Sequence, residues 1–429
     1  MQGEDHGCRK SAKGPPAGEY IMKTVSIEEA QEIIVNAVSP LDWEDISLVE
    51  AANRVLYEDV VSDIMLPPAD DSSMDGFAVI AADTRGASIE HPVRLQITGE
   101  VRAGGSAAGQ PVSSGTAIKI MTGGQIPEGA DAVVRLEDTE EEAGFVRISH
   151  ETARYENYRF SGGCIKQGEN VLGKGDRLNC VDVGILASLN YNTVKVYKQP
   201  TVSIISTGDE LADINAEIKN GQIRNVNAYM LYSEVKRYNA VPDYLGITKD
   251  TLEDMRRIFL KALKSDVVVS TGGVSMGRYD FIKQVYSDLN IETKFESVNV
   301  KPGRPCAFGK KDDKLIFSLP GNPFSTLTSF AQFVRPALLK LMGAKRLKKP
   351  VVNAFLEEDI VKKPGHVHLV RGYFTLKNNE FYVSKTGNQN SCTFRSMSDA
   401  NCLIIIPEDI SRVKAGEKVA IELIDHGEL

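Results

Sequence analysis

The chain changes texture three times. Near the N-terminus, Ile27 to Val38 carries apolar residues at helical spacing, with Ser26 as a cap and Glu29 three residues on, the spacing of a capping box. A second helical stretch is predicted over Leu48 to Leu56, after which Leu66-Pro67-Pro68 breaks the chain. From about 75 to 150 the apolar runs are short and β-rich: Val93–Val101, Ala117–Met121, Ala132–Leu136 and Phe145–Ile148, with Gly and Pro turns between them. This pattern predicts a small β domain or barrel. The acid run Glu137 to Glu142 reads as a solvated turn.

From 200 to 342 strands alternate with helices. Val202–Ile205 runs into Ser206-Thr207-Gly208, and a helix follows with Ile223, Val226, Met230, Leu231, Val235 and Tyr238 near one face. Val241–Ile247 is the next strand. Leu252, Met255, Ile258, Phe259, Ala262 and Leu263 then form a strong helical stripe. Asp266–Ser270 leads into Thr271-Gly272-Gly273, and a helix over Tyr279–Leu289 and a strand reaching Val300 come next. Leu315–Leu319 ends in Pro320-Gly321-Asn322-Pro323, and a last helix runs to Leu341. Such alternation implies a mostly parallel, doubly wound sheet with helices on both faces. Residues 346–429 return to short strands without a convincing helix, joined through the basic stretch Lys345–Lys349. The expected fold class is α/β multidomain. A tail covers 1–20, and a helical and extended linker domain takes 21–65 with 150–198. An inserted β domain spans 66–149, the α/β domain 199–345, and a C-terminal β domain 346–429.

Length and composition fit that division. The 429 residues suit two to four domains at about 100–200 residues each. With 42% hydrophobic and 25% charged residues, a wholly disordered or collagen-like chain is excluded. The net charge of −8 gives no global pull towards nucleic acid, so any bound anion needs a local site. No run of about 18 apolar residues exists, and no membrane span is expected. The N-terminus lacks the apolar core of a signal peptide, and residues 1–20 read as a disordered tail. The six cysteines are scattered without a CxxC pair, which points to reduced thiols in a cytoplasm.

Open α/β sheets bind ligands outside the carboxyl ends of their strands. Three loops leave such ends here: Ser206–Leu211, Ser270–Asp280 and Leu319–Ser325. Lys301-Pro302-Gly303-Arg304-Pro305 also follows a strand. Gly272 and Gly273 free backbone N–H groups to approach an anion. Lys301 and Arg304 add positive charge, and Glu210 and Asp280 add carboxylates suited to hold Mg²⁺ against phosphate oxygens. One such loop is common to any α/β sheet; the coincidence of four carries the phosphate–metal reading. Two other patterns do not. Gly168 to Lys174 matches most of a P-loop, but Gly175 stands where Ser or Thr must bind Mg²⁺. His366 and His368 share one face of a strand without an evident third ligand, so a surface pair is the plainer reading.

The ordered set of motifs resembles the molybdopterin molybdenumtransferase (MoeA) family, whose animal relative is the gephyrin E domain. The resemblance covers about residues 22–425. Leu66-Pro67-Pro68-Ala69-Asp70-Asp71-Ser72-Ser73-Met74-Asp75-Gly76-Phe77-Ala78 is similar to the family's proline–acid–MDG signature. Ile120-Met121-Thr122-Gly123-Gly124, with Ile126-Pro127-Glu128-Gly129-Ala130-Asp131-Ala132-Val133-Val134, resembles its second signature. Ser206-Thr207-Gly208-Asp209-Glu210-Leu211, Gly221-Gln222-Ile223, Gly272-Gly273-Val274-Ser275-Met276-Gly277 with Asp280, Lys301-Pro302-Gly303, and Leu319-Pro320-Gly321-Asn322-Pro323 match the pterin-binding core. Arg371-Gly372 and Gly387-Asn388-Gln389-Asn390-Ser391 fall in the C-terminal domain.

The resemblance implies a cytoplasmic transferase that takes adenylylated molybdopterin and molybdate and yields molybdenum cofactor and AMP with Mg²⁺. It implies that Glu210 and Asp280 hold Mg²⁺, that the loop with Gly272, Gly273, Ser275 and Gly277 cradles the pterin phosphate, and that Lys301, Arg304, Arg371 and Ser391 bind anionic oxygens. Pro320 and Pro323 would shape the wall. Asp250 matches a functional acid, its plainer reading being a helix N-cap. Asp75 and Thr122 would complete the site across a homodimer interface, the plainer readings being a turn acid and a strand-end cap. Hand-over of cofactor to molybdoenzymes is implied as well, with no nucleic acid or membrane partner.

Two departures stand out. Asn157-Tyr158-Arg159-Phe160-Ser161-Gly162-Gly163 is followed by Cys164 where the family has Asp, a mostly neutral thiol for a carboxylate. Ser297 stands where the family has a Lys, so one pocket cation is missing. Both leave open an alternative: a non-catalytic molybdopterin carrier or scaffold of the same fold. An unrelated Mg²⁺-dependent phosphoryl-transfer enzyme is a third reading, disfavoured by the signature around Asp75.

Overall fold

A computed structural model describes residues 23–274, 279–390 and 393–424, the side chains of Tyr279 and Asp280 excepted. The chain divides into one unit of Trp43–Val196 and another of Met1–Asp42 with Tyr197–Leu429.

In Trp43–Val196 the predicted β runs form a six-stranded sheet in the order Ala132–Arg135, Gly76–Val79, Thr116–Ile120, Val93–Val101, Phe145–Ile148, Thr139–Glu142. Period-2 alternation places Val146 and Ile148 on one face with Phe77, Leu95 and Val134, while Ala78, Ile118, Ile120 and Val133 pack on the other. Gly76 has to be glycine, because a Cβ there would lie 1.8 Å from the Val134 carbonyl oxygen. The strand therefore lies tightly on its neighbour and fixes Asp75 at its end. The acid run is an edge strand rather than a turn: Thr139–Glu142 pairs antiparallel with Phe145–Ile148. Its exposed carboxylates, two of them paired with Arg147 and Lys119, keep the edge from recruiting another strand.

The helix predicted over Leu48 to Leu56 does not form. A 3₁₀ turn covers only Leu48–Glu50, and Asn53 turns left-handed at φ 68°. Val55 and Leu56 instead bridge to Arg177 and Val196, and Leu56 joins a core with Leu178, Leu186 and Val196. The apolar spacing was real, but bridging buries these residues better than one short helix face does.

The other unit carries the α/β sheet in the order Val241–Thr248, Thr201–Thr207, Val267–Thr271, Lys314–Leu319, Ala307–Lys311, Glu292–Phe295. The first four strands are parallel, and Ala307–Lys311 runs antiparallel to both of its neighbours, Lys314–Leu319 and Glu292–Phe295. Helices Leu252–Ala262 and Tyr279–Asp288 cover one face through Met255, Phe259, Ile282 and Val285 against Ile205, Val268 and Ile316. Helix Val226–Arg237 packs against the sheet and against Pro323–Ser329. The last helix is two helices, Pro323–Ser329 and Arg335–Leu341, joined by a π-helical turn over Phe330–Val334. Helix Ile27–Ala37 packs on it. The capping box forms as expected, with Glu29 N–H donating to Ser26 Oγ at 3.0 Å and Ser26 N–H to Glu29 Oε2 at 2.8 Å. The strand predicted to reach Val300 breaks into Glu292–Phe295, Ser297–Val298 and Val300–Lys301.

The C-terminal strands close a barrel. Val367–Lys377, Glu380–Lys385, Val351–Leu356, Lys418–Leu423 and Cys402–Ile406 pair in turn, and the last pairs back with the first. Val300–Lys301 adds to Val367–His368 in parallel. One short helix, Phe394–Ser398, interrupts the strands, where the sequence pattern showed none.

Candidate functional site

The parallel strands end at Thr207, Thr271 and Leu319, and the loops beyond them enclose a cavity of about 510 Å³. Glu210, Gly272, Gly273 and Pro320 line it as the sequence predicted. Gly272 sits at φ +89°, and a Cβ would come within 2.3 Å of the Thr207 carbonyl oxygen, so the loops close together only around glycine. Thr271 and Thr326 both donate to the Pro320 carbonyl, at 3.1 and 2.6 Å, and fix the loop that follows Leu319. Pro323 does not reach the wall; it opens helix Pro323–Ser329, where its fixed φ and missing N–H suit the first turn.

Asn227, outside every sequence motif, and Thr207 give the cavity its polarity. Asn227 donates through Nδ2 to the Gly321 carbonyl at 2.7 Å and to Thr271 Oγ1 at 2.9 Å. A backbone carbonyl can only accept, so the amide's orientation is fixed. Its Oδ1 is then buried without a partner, as is Oγ1 of Thr207, and both residues line the cavity. An unmet buried polar atom costs about 1–3 kcal/mol, which a bound ligand recovers. The signal for Asn227 was present in the sequence: a polar residue between Val226 and Met230 on an otherwise apolar helix face.

Glu210 stands over Gly208, where a Cβ would meet both carboxylate oxygens at 2.7 Å. Its arm is pinned by Ile223 N–H donating to the Glu210 carbonyl at 2.8 Å. Ile223 thus pairs with Leu211 instead of joining the helix, which starts beyond the Asn225 cap. Further along the arm, Asp213 accepts from the hydroxyls of Tyr229 and Tyr244. Burial works against its charge, but hydrogen bonds from Tyr229, the Ile214 N–H and Tyr244 hold its carboxyl below the usual range.

Asp250 is not the helix cap. Thr251 is, its Oγ1 accepting from Asp254 N–H at 3.3 Å, while the Asp250 N–H faces Asp209 Oδ1 at 3.4 Å. Lys301 and Arg304 are exposed, and neither side chain forms an ion pair among the described residues. Arg371 departs from its expected role. It is 0% exposed, and its guanidinium donates to the carbonyls of Asn388 (3.1 Å), Asn390 (3.0 Å) and Thr393 (3.4 Å) and to Gln389 Oε1 (3.4 Å). Four of its N–H groups are thus spent on holding the chain around Asn388, Asn390 and Thr393, which makes it a positioning residue there. Ser275, Gly277, Ser391 and the Asp280 side chain lie outside the described residues.

In the unit Trp43–Val196, Asp75 and Thr122 come together. Thr122 donates through its N–H (2.7 Å) and its hydroxyl (2.8 Å) to the same oxygen, Asp75 Oδ1. The backbone bond first, and then the hydroxyl, lower the Asp75 pKa. Oδ2 takes no hydrogen bond among the described residues, so an ionised oxygen points outward from a fixed pair. Cys164 is exposed, its N–H on the Leu66 carbonyl at 2.9 Å. Ser297 is buried with its hydroxyl on the Arg304 carbonyl at 3.2 Å. The P-loop lookalike is a strand, Asn170–Leu172, paired with Val60–Val61. No cluster of three or more His, Cys, Asp or Glu able to hold a metal occurs among the described residues. The oxygen donors present at the cavity, a carboxylate, a hydroxyl and an amide carbonyl, are of the hard kind that Mg²⁺ takes. No described helix is long and apolar enough to cross a membrane.

Comparisons with known proteins agree along the chain. Residues 25–190 match the family described as "MoeA N-terminal region (domain I and II)", 203–340 the "Probable molybdopterin binding domain", and 353–424 the "MoeA C-terminal region (domain IV)". A molybdopterin molybdenumtransferase of Staphylococcus aureus is 33% identical over 402 residues, covering 94% of this chain and 96% of the relative. One of Haemophilus influenzae is 35% identical over 395 residues, covering 90% and 95%. The crystal structure of the molybdopterin biosynthesis moeA protein of Pyrococcus horikoshii superposes with a TM-score of 0.79 at 32% identity, covering 94% of this chain and 100% of that one.

Proposed function

We infer the function from one premise: this chain belongs to the molybdopterin molybdenumtransferase (MoeA) family. It is a transferase of molybdenum cofactor biosynthesis. Its substrates are adenylylated molybdopterin and molybdate, and its products are molybdenum cofactor and AMP. The observation that carries this reading is the cavity at the strand ends, which Glu210 lines together with Thr207 and Asn227, whose Oγ1 and Oδ1 are buried without a partner. A ligand rich in both donors and acceptors, as a pterin is, would satisfy those atoms.

The chain's own groups divide the work. The glycine pair lets the backbone approach phosphate closely, and Pro320 holds the wall. Lys301 and Arg304, which form no ion pair among the described residues, offer cations to anionic oxygens. Mg²⁺, held by Glu210 and Asp280 with phosphate oxygens of the substrate, would neutralise charge as the phosphoanhydride breaks. Asp250 stands beside Asp209 at the same strand ends and would orient that end of the substrate. The Asp75–Thr122 pair would complete the site in a homodimer, with one copy's pair meeting the other copy's cavity. A cytoplasmic location suits the free thiols of Cys164, Cys180, Cys306 and Cys402. Hand-over of the product to molybdoenzymes follows from what the product is. The scaffold alternative raised by Cys164 and Ser297 finds no support among relatives that carry the transferase name.

The test is AMP release from adenylylated molybdopterin and molybdate across a Mg²⁺ titration. Glu210→Gln is expected to lower release by roughly a hundredfold and to raise the Mg²⁺ needed for half-maximal rate. Identical titrations for the two proteins would remove Glu210 from metal-linked work.

A further inference from the structure

Lys301 does not stand alone. The two-residue strand Val300–Lys301 adds in parallel to the barrel strand Val367–Lys377, and Lys301 is the register partner of His368. Neighbouring strands lie about 4.8 Å apart, so side chains in register stand side by side on one face. The surroundings are cationic. Lys362 is buried, and its Nζ donates to two carbonyls, those of His366 and Glu408, each at 3.0 Å, with no carboxylate partner among the described residues. The Glu408 carboxylate is engaged by Asn299 Nδ2, and the His366 ring turns to the Gly365 carbonyl. His368 is half-buried among Lys301, Lys362 and His366. Burial first, then the neighbouring Lys301, Lys362 and His366, hold its pKa down to about 4, so the imidazole is neutral at neutral pH.

A strand edge that gathers two lysines and one neutral imidazole is built for an arriving anion. We propose that Lys301 and His368 form one binding pair for a tetrahedral oxyanion, in which His368 takes a proton from solvent as the anion seats against Lys301. The proposal rests on the reading above that Lys301 meets an anionic part of the substrate. It also names the group that supplies the cation absent at position 297, since the Ser297 hydroxyl is buried on the Arg304 carbonyl.

The chemistry is reversible and needs no co-reactant. Free of anion, the two lysines and burial oppose charge on the imidazole. A dianion reverses the local field, the His368 pKa rises, and both partners then donate to the anion. Binding coupled to one proton tightens up to about tenfold for each pH unit of fall between the bound and free pKa values. Molybdate and the pterin phosphate share this chemistry, and separate arms tell them apart.

The experiment titrates molybdate alone, and inorganic phosphate alone, into the full chain by calorimetry near pH 8 and near pH 6.5, in two buffers of different protonation enthalpy. Wild type is expected to bind one of the two anions roughly tenfold more tightly at the lower pH, with close to one proton taken up. The anion that shows the slope identifies the source. His366→Gln should keep that slope, whereas His368→Gln should flatten it while leaving the melting temperature within a degree or two. Retention of the wild-type slope and proton uptake in His368→Gln would overturn the proposal, and so would pH-independent binding of both anions. If neither anion binds while AMP is still released, the pair is disproved and the transferase reading stands; if AMP release itself is absent, that reading falls.

Discussion

Mixing an Asp75→Ala chain with a Glu210→Gln chain is expected to restore AMP release that neither shows alone. The two carboxylates sit in different units of the chain. Asp75 is exposed on the end of a tightly packed strand, with Thr122 locking one oxygen and leaving the other outward. In the homodimer proposed above, a carboxylate placed that way would complete the partner's site. Each single variant should lose on the order of a hundredfold in rate, since each removes one charge from the reaction. In a co-expressed mixture, half the dimers are mixed, and each mixed dimer holds one site with both carboxylates intact. Recovery to about one quarter of the wild-type rate is the outcome expected of the proposed shared-site dimer. Asp75→Ala should fold normally, because the freed Thr122 donors face water. The pH profile adds a check of sign. Thr122 lowers the Asp75 pKa, so its carboxylate stays ionised as pH falls into the usual carboxylate range, and no acid limb of the rate near pH 5 should trace to it. A mixture no more active than its components would place both carboxylates in one chain's site.

Arg371→Met is expected to be the most destabilising single change in the C-terminal barrel. The guanidinium is fully buried, donates to four acceptors and lies over the Phe324 ring at 4.4 Å. Burial alone lowers its pKa, so it holds its charge only because those acceptors surround it. Methionine fills part of the space but leaves the Asn388, Asn390 and Thr393 carbonyls without this donor. At about 1–3 kcal/mol for each unmet buried acceptor, partly recovered by water, the loss should reach roughly 3–5 kcal/mol. Lysine would not rescue it, because a single ammonium cannot span a fork of divergent acceptors. Thermal melting should show the barrel transition lowered by roughly 15–30 °C. A melting temperature unchanged from wild type would mean that the Asn388, Asn390 and Thr393 carbonyls are satisfied by other contacts.

Those two residues also show where the sequence was legible. Local chemistry carried well: the Ser26 box, the strand Val93–Val101 and the helical stripe from Leu252 appear in the structure because neighbouring residues alone decide them. The glycines at the strand ends could be placed at a cavity wall because topology dictates where parallel strands deliver ligands. Long-range competition was not legible. Leu48–Leu56 has helical spacing, yet pairing with Arg177 and Val196, more than a hundred positions away, wins. The motif placed Arg371 in the right domain, but only the folded barrel reveals that its donors turn inward. Asn227 was overlooked because its value lies in one amide oxygen left unmet once the other half of the amide is fixed.

In the function proposed above, this cavity couples release of AMP to capture of molybdenum. The direct measurement is the ratio of molybdenum retained in the pterin fraction, by elemental analysis, to AMP released in a single turnover of the full-length protein. The account predicts one molybdenum for each AMP, with neither formed when molybdate is withheld. AMP released at the same rate without molybdate, with no metal in the pterin, would make the chain a hydrolase of the adenylylated pterin and contradict the account.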